Sequence, residues 1–261
     1  MYESQLSSAV GFMGFEIIWL GSAASLIAGL STTLGALPML FTKKVSDRLM
    51  DVMLGFSAGI MLAATSFSLL IPALELGGSW VAGLGVLIGA SVIHLIDRFV
   101  PHFHPRVGLE GRPSNLSRVW LFVIAVTIHN FPEGLAVGIS FGSSDVKAGL
   151  IIATAIGLQN IPEGLAVAMP LLKEGYSRRQ ALWYTTLTGL VEPVGGLLGV
   201  GIVSFSNTVL PWGLAFAAGA MLFIISDEMI PESHKKGFER EATFGLIVGF
   251  VVMMFLDTLF S

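Results

Sequence analysis

Eight apolar runs, each about 20 residues or longer, follow one another along the chain, near 14–41, 51–75, 79–100, 119–142, 147–172, 180–205, 209–231 and 242–260. About 20 residues is what a helix needs to cross roughly 30 Å of hydrocarbon. Between them lies little else. Of 261 residues, 54% are hydrophobic and only 12% charged, and the mean hydropathy is +0.80, which leaves no room for a soluble domain beyond short loops. The reading is an all-α integral membrane protein of eight transmembrane helices, one domain over 1–261. With no cysteine, disulfides and thiolate metal sites are excluded. Glu3 and Glu16 lie before or within the first run, with no Lys or Arg ahead of it, so a cleavable signal is not expected.

The charges fix an orientation. Lys43, Lys44 and Arg48 follow the first run; Arg98, Arg106, Arg112 and Arg118 lie at or after the third; Lys173, Arg178 and Arg179 follow the fifth; Lys235, Lys236 and Arg240 follow the seventh. Only Lys147 falls on the other side, so the positive-inside rule puts the odd-numbered connections in the cytoplasm and both termini outside. The one long connection, about 101–118, opens Pro-His-Phe-His-Pro and continues with Gly, Pro and Arg, which reads as a mobile cytoplasmic loop. Its His102 and His104 could sequester a cation leaving a pore.

Inside this apolar chain one polar phrase occurs twice. His129-Asn130-Phe131-Pro132-Glu133-Gly134-Leu135-Ala136-Val137 returns as Gln159-Asn160-Ile161-Pro162-Glu163-Gly164-Leu165-Ala166-Val167. A carboxylate at the centre of a membrane helix costs roughly 2.5–3.5 kcal/mol on insertion scales, so intramembrane ionisable residues are functional by default. His129 and Glu133 are four apart, as are Gln159 and Glu163, and each pair stacks on one helix face. Each proline crowds the carbonyl four residues earlier, of Ile128 or Leu158, and irregular backbone is tolerated in a membrane only where protein or a wet cavity surrounds it. Glu192, followed by Pro193, lies at similar depth in the sixth run. Carboxylate, imidazole and amide oxygens form a hard-to-borderline set suited to Zn²⁺, Fe²⁺ or Mn²⁺. Helix-gluing carboxyls would explain one such Glu easily and three badly.

A weaker repeat spans the chain. Phe56-Ser-Ala-Gly-Ile-Met-Leu62 in the second run aligns with Phe216-Ala-Ala-Gly-Ala-Met-Leu222 in the seventh, and Pro72 and Pro231 follow at nearly equal distance. These runs point in opposite directions, the signature of an inverted repeat that relates segments one to three to six to eight. Along the implied pathway, Met61 and Met221 could form an apolar gate. Ser68 and Glu75 could form an entrance, and Asp227, Glu228 and Glu232, with His234 beyond, an exit. His94, on an otherwise apolar face, reads as a packing residue.

The paired motif, Glu192-Pro193 and the eight-segment layout resemble the ZIP (Zrt/Irt-like) divalent metal transporters over nearly the whole chain. The resemblance implies import of Zn²⁺ and related cations (Cd²⁺, Fe²⁺, Mn²⁺) into a bacterial cytoplasm, through a 3+2+3 arrangement in which one bundle slides against another. It implies two adjacent metals: a first site of His129, Glu133, Gln159 and Glu163, and a second around Asn130, Glu133, Asn160, Glu163 and Glu192. Two residues depart from the family pattern. Gln159 replaces an imidazole found in many members, and Asn160 an acidic residue found in close relatives, which weakens the second site. The implied partners are divalent cations and lipid, with no nucleic acid and no catalytic cofactor; a homodimer is compatible. Two other functions fit parts of the pattern. An intramembrane metal-dependent hydrolase could use His129 and Glu133, but His-Glu-x-x-His is absent. A proton-coupled organic solute carrier would place a cation or aromatic residues in mid-membrane to hold its substrate.

Overall fold

The computed structural model describes residues 2–42, 44–104, 108–143 and 146–260; Lys43 and Arg106, used in the charge argument, lie outside them. Helices α1 (Tyr2–Ala36), α2 (Asp47–Ala64), α3 (Ile71–Phe99), α4 (Arg118–Gly142), α5 (Val146–Lys173), α6 (Arg178–Gly189), α7 (Glu192–Phe205), α8 (Leu210–Ile224), the short α9 (Ile230–Ser233) and α10 (Glu239–Phe260) follow in order. Among the described residues the eight expected runs appear as seven apolar helical stretches long enough to cross a membrane, because the second and third are merged into Asp47–Phe99, 53 residues. At 1.5 Å per residue that would be about 80 Å of helix, but Gly78, at φ 73° and ψ 175°, is not helical. Only glycine takes that backbone shape cheaply. On one side of Gly78, α2 packs chiefly on α10; on the other, α3 packs on α8.

Two irregularities depart from the expected straight helices. The turn between α2 and α3, Thr65–Leu70, is wound as a π-helix, and so is Ile225–Met229 between α8 and α9. Each runs straight into Ile-Pro, Ile71-Pro72 and Ile230-Pro231. By contrast α4 and α5 continue unbroken through Pro132 and Pro162, so the irregular backbone expected there is found in the neighbouring helices instead. The second irregularity is a break at Leu190–Val191 that divides the apolar stretch Arg178–Ser204 into α6 and α7.

The helices sort into two bundles. One holds α2, α3, α8 and α10; the other holds α1, α4, α5, α6 and α7, and the two meet where α2 packs on α5 and α4 on α8. Lipid gives helices no hydrophobic reason to associate, so close packing through small residues must hold them together. The glycines show where. A β-carbon at Gly59 would strike the Leu246 carbonyl and one at Gly219 the Val86 carbonyl; Gly89 faces the Phe216 carbonyl and Gly249 that of Phe56. These pairs exchange when every number is shifted by 160 positions. Gly29 and Gly189 face each other's carbonyls, an exchange of the same kind. With a shift of 30 between α4 and α5, Gly164 against the Thr32 carbonyl likewise becomes Gly134 against that of Glu192.

The connection read as a mobile loop is partly ordered. His102–His104 and Gly108–Glu110 form a two-stranded antiparallel hairpin, pairing His102 with Glu110 and His104 with Gly108, a small exception to the all-α expectation.

Candidate metal site

Helices α4 and α5 carry the repeated phrase side by side, and α7 begins beside them with Glu192. The packing follows from the sequence: the glycine after each motif Glu lets a neighbouring backbone touch the helix, α7 against α4 and α1 against α5. The helix break before Glu192 sets its side chain at the first turn of α7, facing the motif helices.

His129, Asn130, Glu133, Gln159, Asn160, Glu163 and Glu192 are all buried, none more than 3% exposed. Glu133 lies within electrostatic range of Glu163 and Glu192 and beside the Gln159 amide, and Glu163 lies within range of His129. No oxygen of Glu133 or Glu163 makes a hydrogen bond of good geometry, although the Gln159 amide lies beside the first and the Ser57 hydroxyl beside the second; Glu192 Oε2 and both side-chain polar atoms of Asn130 have no partner. Buried carboxyl oxygens without partners are costly. Glu133, Glu163 and Glu192 interact electrostatically, but among the described residues they do not form a group of three ligand atoms within 4.8 Å of one another; side-chain movement would let them share a divalent cation. Glu192 Oε1 differs: it accepts from Asn160 Nδ2 at 2.6 Å, and the same Nδ2 donates to the Ala28 carbonyl at 2.8 Å. Gln159 Nε2 donates to Asn160 Oδ1 at 2.8 Å.

The residues expected along a pathway fall in several places. Met61 and Met221 are both buried, and Thr65 donates to the Met221 sulfur at 3.8 Å. Ser68 donates to Asp257 Oδ1 at 2.6 Å, while Glu75 is exposed. Glu228 reaches His129, with Oε1 2.8 Å from Nε2. It also stands with Asp97 and His102 in a group whose ligand atoms lie within 4.8 Å of one another, and His104, Glu110 and Asp227 form a second such group. His104 Nε2 is 2.9 Å from the Asp227 carbonyl. Glu232 pairs with Lys235 at 3.0 Å, and His234 packs on the Ile230 carbonyl at 2.7 Å. His94 is exposed and its ring lies 5.9 Å from that of Phe223, so it is a surface residue, not the packing residue expected.

Asp97, Asp257, Ser57 and the helix break before Glu192 lie outside the residues expected from the sequence. The two aspartates were not singled out, although each ends an otherwise apolar run and they stand 160 positions apart; the break had a signal in Gly189 and Pro193.

The site connects to one side. A cavity of about 640 Å³ is bordered by Asp47, Met50, Arg118, Lys173, Lys235 and Lys236 among others. A pocket of about 20 Å³ touches His129, Glu163 and Glu228, and both spaces are lined by Leu54, Phe122, Ala166 and Glu232. The smaller one has room for about one water molecule.

Comparison with known proteins places the chain in a family. The family model described as ZIP Zinc transporter matches residues 111–257. The chain is 48% identical over 247 residues to zinc transporter GufA of Myxococcus xanthus, covering 91% of this chain and 97% of that protein. It is 45% identical over 250 residues to zinc transporter ZIPB of Bordetella bronchiseptica, covering 92% and 80%. To human zinc transporter ZIP11 it is 33% identical over 317 aligned positions, covering 87% and 93%.

Proposed function

Because the chain belongs to the ZIP zinc transporter family, we propose that it imports a divalent cation, Zn²⁺ foremost and with it Cd²⁺, Fe²⁺ or Mn²⁺, across a bacterial cytoplasmic membrane. The family is one of transporters, so the hydrolase reading is set aside and the protein is not an enzyme. The observation that carries the proposal is the set of buried carboxyl oxygens of Glu133, Glu163 and Glu192 that make no hydrogen bond of good geometry. His129, Glu133, Gln159 and Glu163 form the cargo site. The second site, around Asn130, Glu133, Asn160, Glu163 and Glu192, is weak because the Asn160 amide occupies one oxygen of Glu192.

Counting Gly78 as a reversal gives eight crossings with both termini outside. The exchange of helix contacts under a shift of 160 supports an inverted repeat of segments one to three with six to eight. Alternating access then follows if the α1, α4–α7 bundle, which carries the site, slides against the other. The cavity bordered by Arg118, Lys173, Lys235 and Lys236 lies on the positively charged side, so this conformation opens to the cytoplasm. Glu228 touches both His129 and the Asp97–His102 group, which supports an exit relay that hands the cation from the site to the hairpin. The test is uptake of zinc into vesicles containing the purified protein. No protein-dependent uptake, or peptide and ester hydrolysis by the same sample, would overturn the proposal.

A further inference from the structure

Gln159, read above as a ligand, is held by a residue outside the repeated motif. Ser57 of α2 is fully buried, and its hydroxyl lies 2.9 Å from both Gln159 Oε1 and the Gln159 main-chain oxygen. The polarity of this contact is set from the far end. Asn160 faces two acceptors, Glu192 Oε1 and the Ala28 carbonyl, with its Nδ2, so its Oδ1 faces Gln159. Gln159 must meet it with Nε2, and its Oε1 is left to face Ser57. A hydroxyl can donate, an amide oxygen cannot. Ser57 is therefore the donor, its one proton shared between the Gln159 main-chain oxygen and Oε1, so the oxygen that Gln159 would offer to a cation is partly engaged.

Ser57 and Gln159 sit in different bundles, on α2 and α5, so this bond crosses the surface along which the bundles would slide. The position related to Ser57 by the shift of 160 is Ala217 on α8, which has no hydroxyl to give to the neighbouring α4. The device therefore belongs to one of the two states. We propose that Ser57 is a positioning residue that withdraws the Gln159 oxygen while the site faces the cytoplasmic cavity, weakening the cation's hold where it must leave. When the bundles slide, the bond breaks and Gln159 becomes available for capture from the other side. The inference rests on Gln159 being a ligand, and the Glu163 carboxyl also lies beside the Ser57 hydroxyl, so the test must separate these.

Zinc affinity by calorimetry and initial uptake rates in vesicles are measured for the parent, Ser57→Ala, Ser57→Thr, Gln159→Ala and the Ser57→Ala/Gln159→Ala double variant. One competing hydrogen bond corresponds to about a two- to tenfold change. Ser57→Ala is expected to bind zinc tighter by that factor, with both KM and maximal rate lowered because release is slowed, while Ser57→Thr keeps the parent values. A merely structural role would lower the rate without tightening binding. In the double variant the effect of Ser57→Ala should vanish. If Ser57→Ala does not fold, Ser57→Cys, a weaker donor of similar shape, must shift affinity in the same direction. Unchanged or weaker binding by Ser57→Ala, alongside a clear loss in Gln159→Ala, overturns the latch and leaves the ligand reading intact. An effect that persists in the double variant assigns the hydroxyl to Glu163 and overturns it too. No change in Gln159→Ala removes Gln159 from the site and the proposal with it.

Discussion

Replacing Gly164 by alanine adds one carbon at a place where backbone already lies. Its β-carbon would overlap the Thr32 carbonyl of α1, as one at Gly134 would overlap the Glu192 carbonyl of α7. Neither obstacle is the end of a flexible side chain, so the helices must part by on the order of 1 Å to restore ordinary contact, and overpacking of this kind costs about 1–3 kcal/mol. The residue before each glycine is a motif carboxylate, Glu163 or Glu133, which moves with the helix. Functional groups must be held to within roughly 0.5 Å, so much of the cost should fall on cation binding. If all of it did, affinity would drop by roughly five- to 150-fold. Gly83 and Gly201 serve as controls, since a β-carbon at either meets nothing within 4 Å. Zinc calorimetry and vesicle uptake of the four alanine variants, with thermal melting of each detergent-extracted protein, make the comparison. Gly164→Ala and Gly134→Ala behaving like Gly83→Ala in both assays would refute the packing argument.

Glu133→Ala and Glu163→Ala should each abolish uptake while the protein remains extractable and folded; near-normal transport by either would remove that residue from the site. Asn160→Asp loses the two donor bonds to Glu192 and Ala28, so the metal-free protein should lose about 1–3 kcal/mol of stability. Zinc should restore it by drawing in a second ion; equal melting with and without zinc would contradict this. A cysteine at Ser114 should react with an impermeant thiol reagent only after cells are opened, whereas labelling of intact cells would reverse the orientation. Carboxylates and His129 bind a dication only when deprotonated, so affinity should fall as pH drops from about 7 to 5 and binding should release protons. Identical binding heats in two buffers of different ionisation enthalpy, corrected for metal–buffer binding, would rule out that release.

The polar phrase, its repetition and its depth in apolar helices were legible because a membrane tolerates few ionisable residues, and each one stands out. The pairing of Phe56–Leu62 with Phe216–Leu222 was legible for a similar reason: glycines that set helix contacts are fixed in spacing. Where the reading fell short, the cause was local geometry without a compositional mark. The π-wound turns at Thr65–Leu70 and Ile225–Met229 contain ordinary apolar and polar residues, and nothing in them spells a change of winding. Ser57 sits among Gly and Ala and looks like packing until Gln159 is seen beside it. His94 looked internal because its neighbours are apolar, but in a membrane an apolar neighbourhood is equally the outer surface.

The exchange of contacts under a shift of 160 also says where the preference for one side of the membrane can reside. Two halves able to trade partners residue for residue have two arrangements of nearly equal energy wherever paired positions hold the same side chain, as Gly59 and Gly219 do, or Asp97 and Asp257. Such pairs are neutral ballast. Only unlike pairs can tip the balance, and many of these involve a polar side chain, among them Thr32 against Glu192, Asp51 against Pro211, Ser57 against Ala217, Thr65 against Ile225 and Ser68 against Glu228, with His129 against Gln159 under the shift of 30. If the bundles slide as proposed, the resting lean of the protein, inward or outward, is set by such mismatched side chains. Making one pair alike, for instance Ser57→Ala beside Ala217, would then remove one such bias without touching the helices.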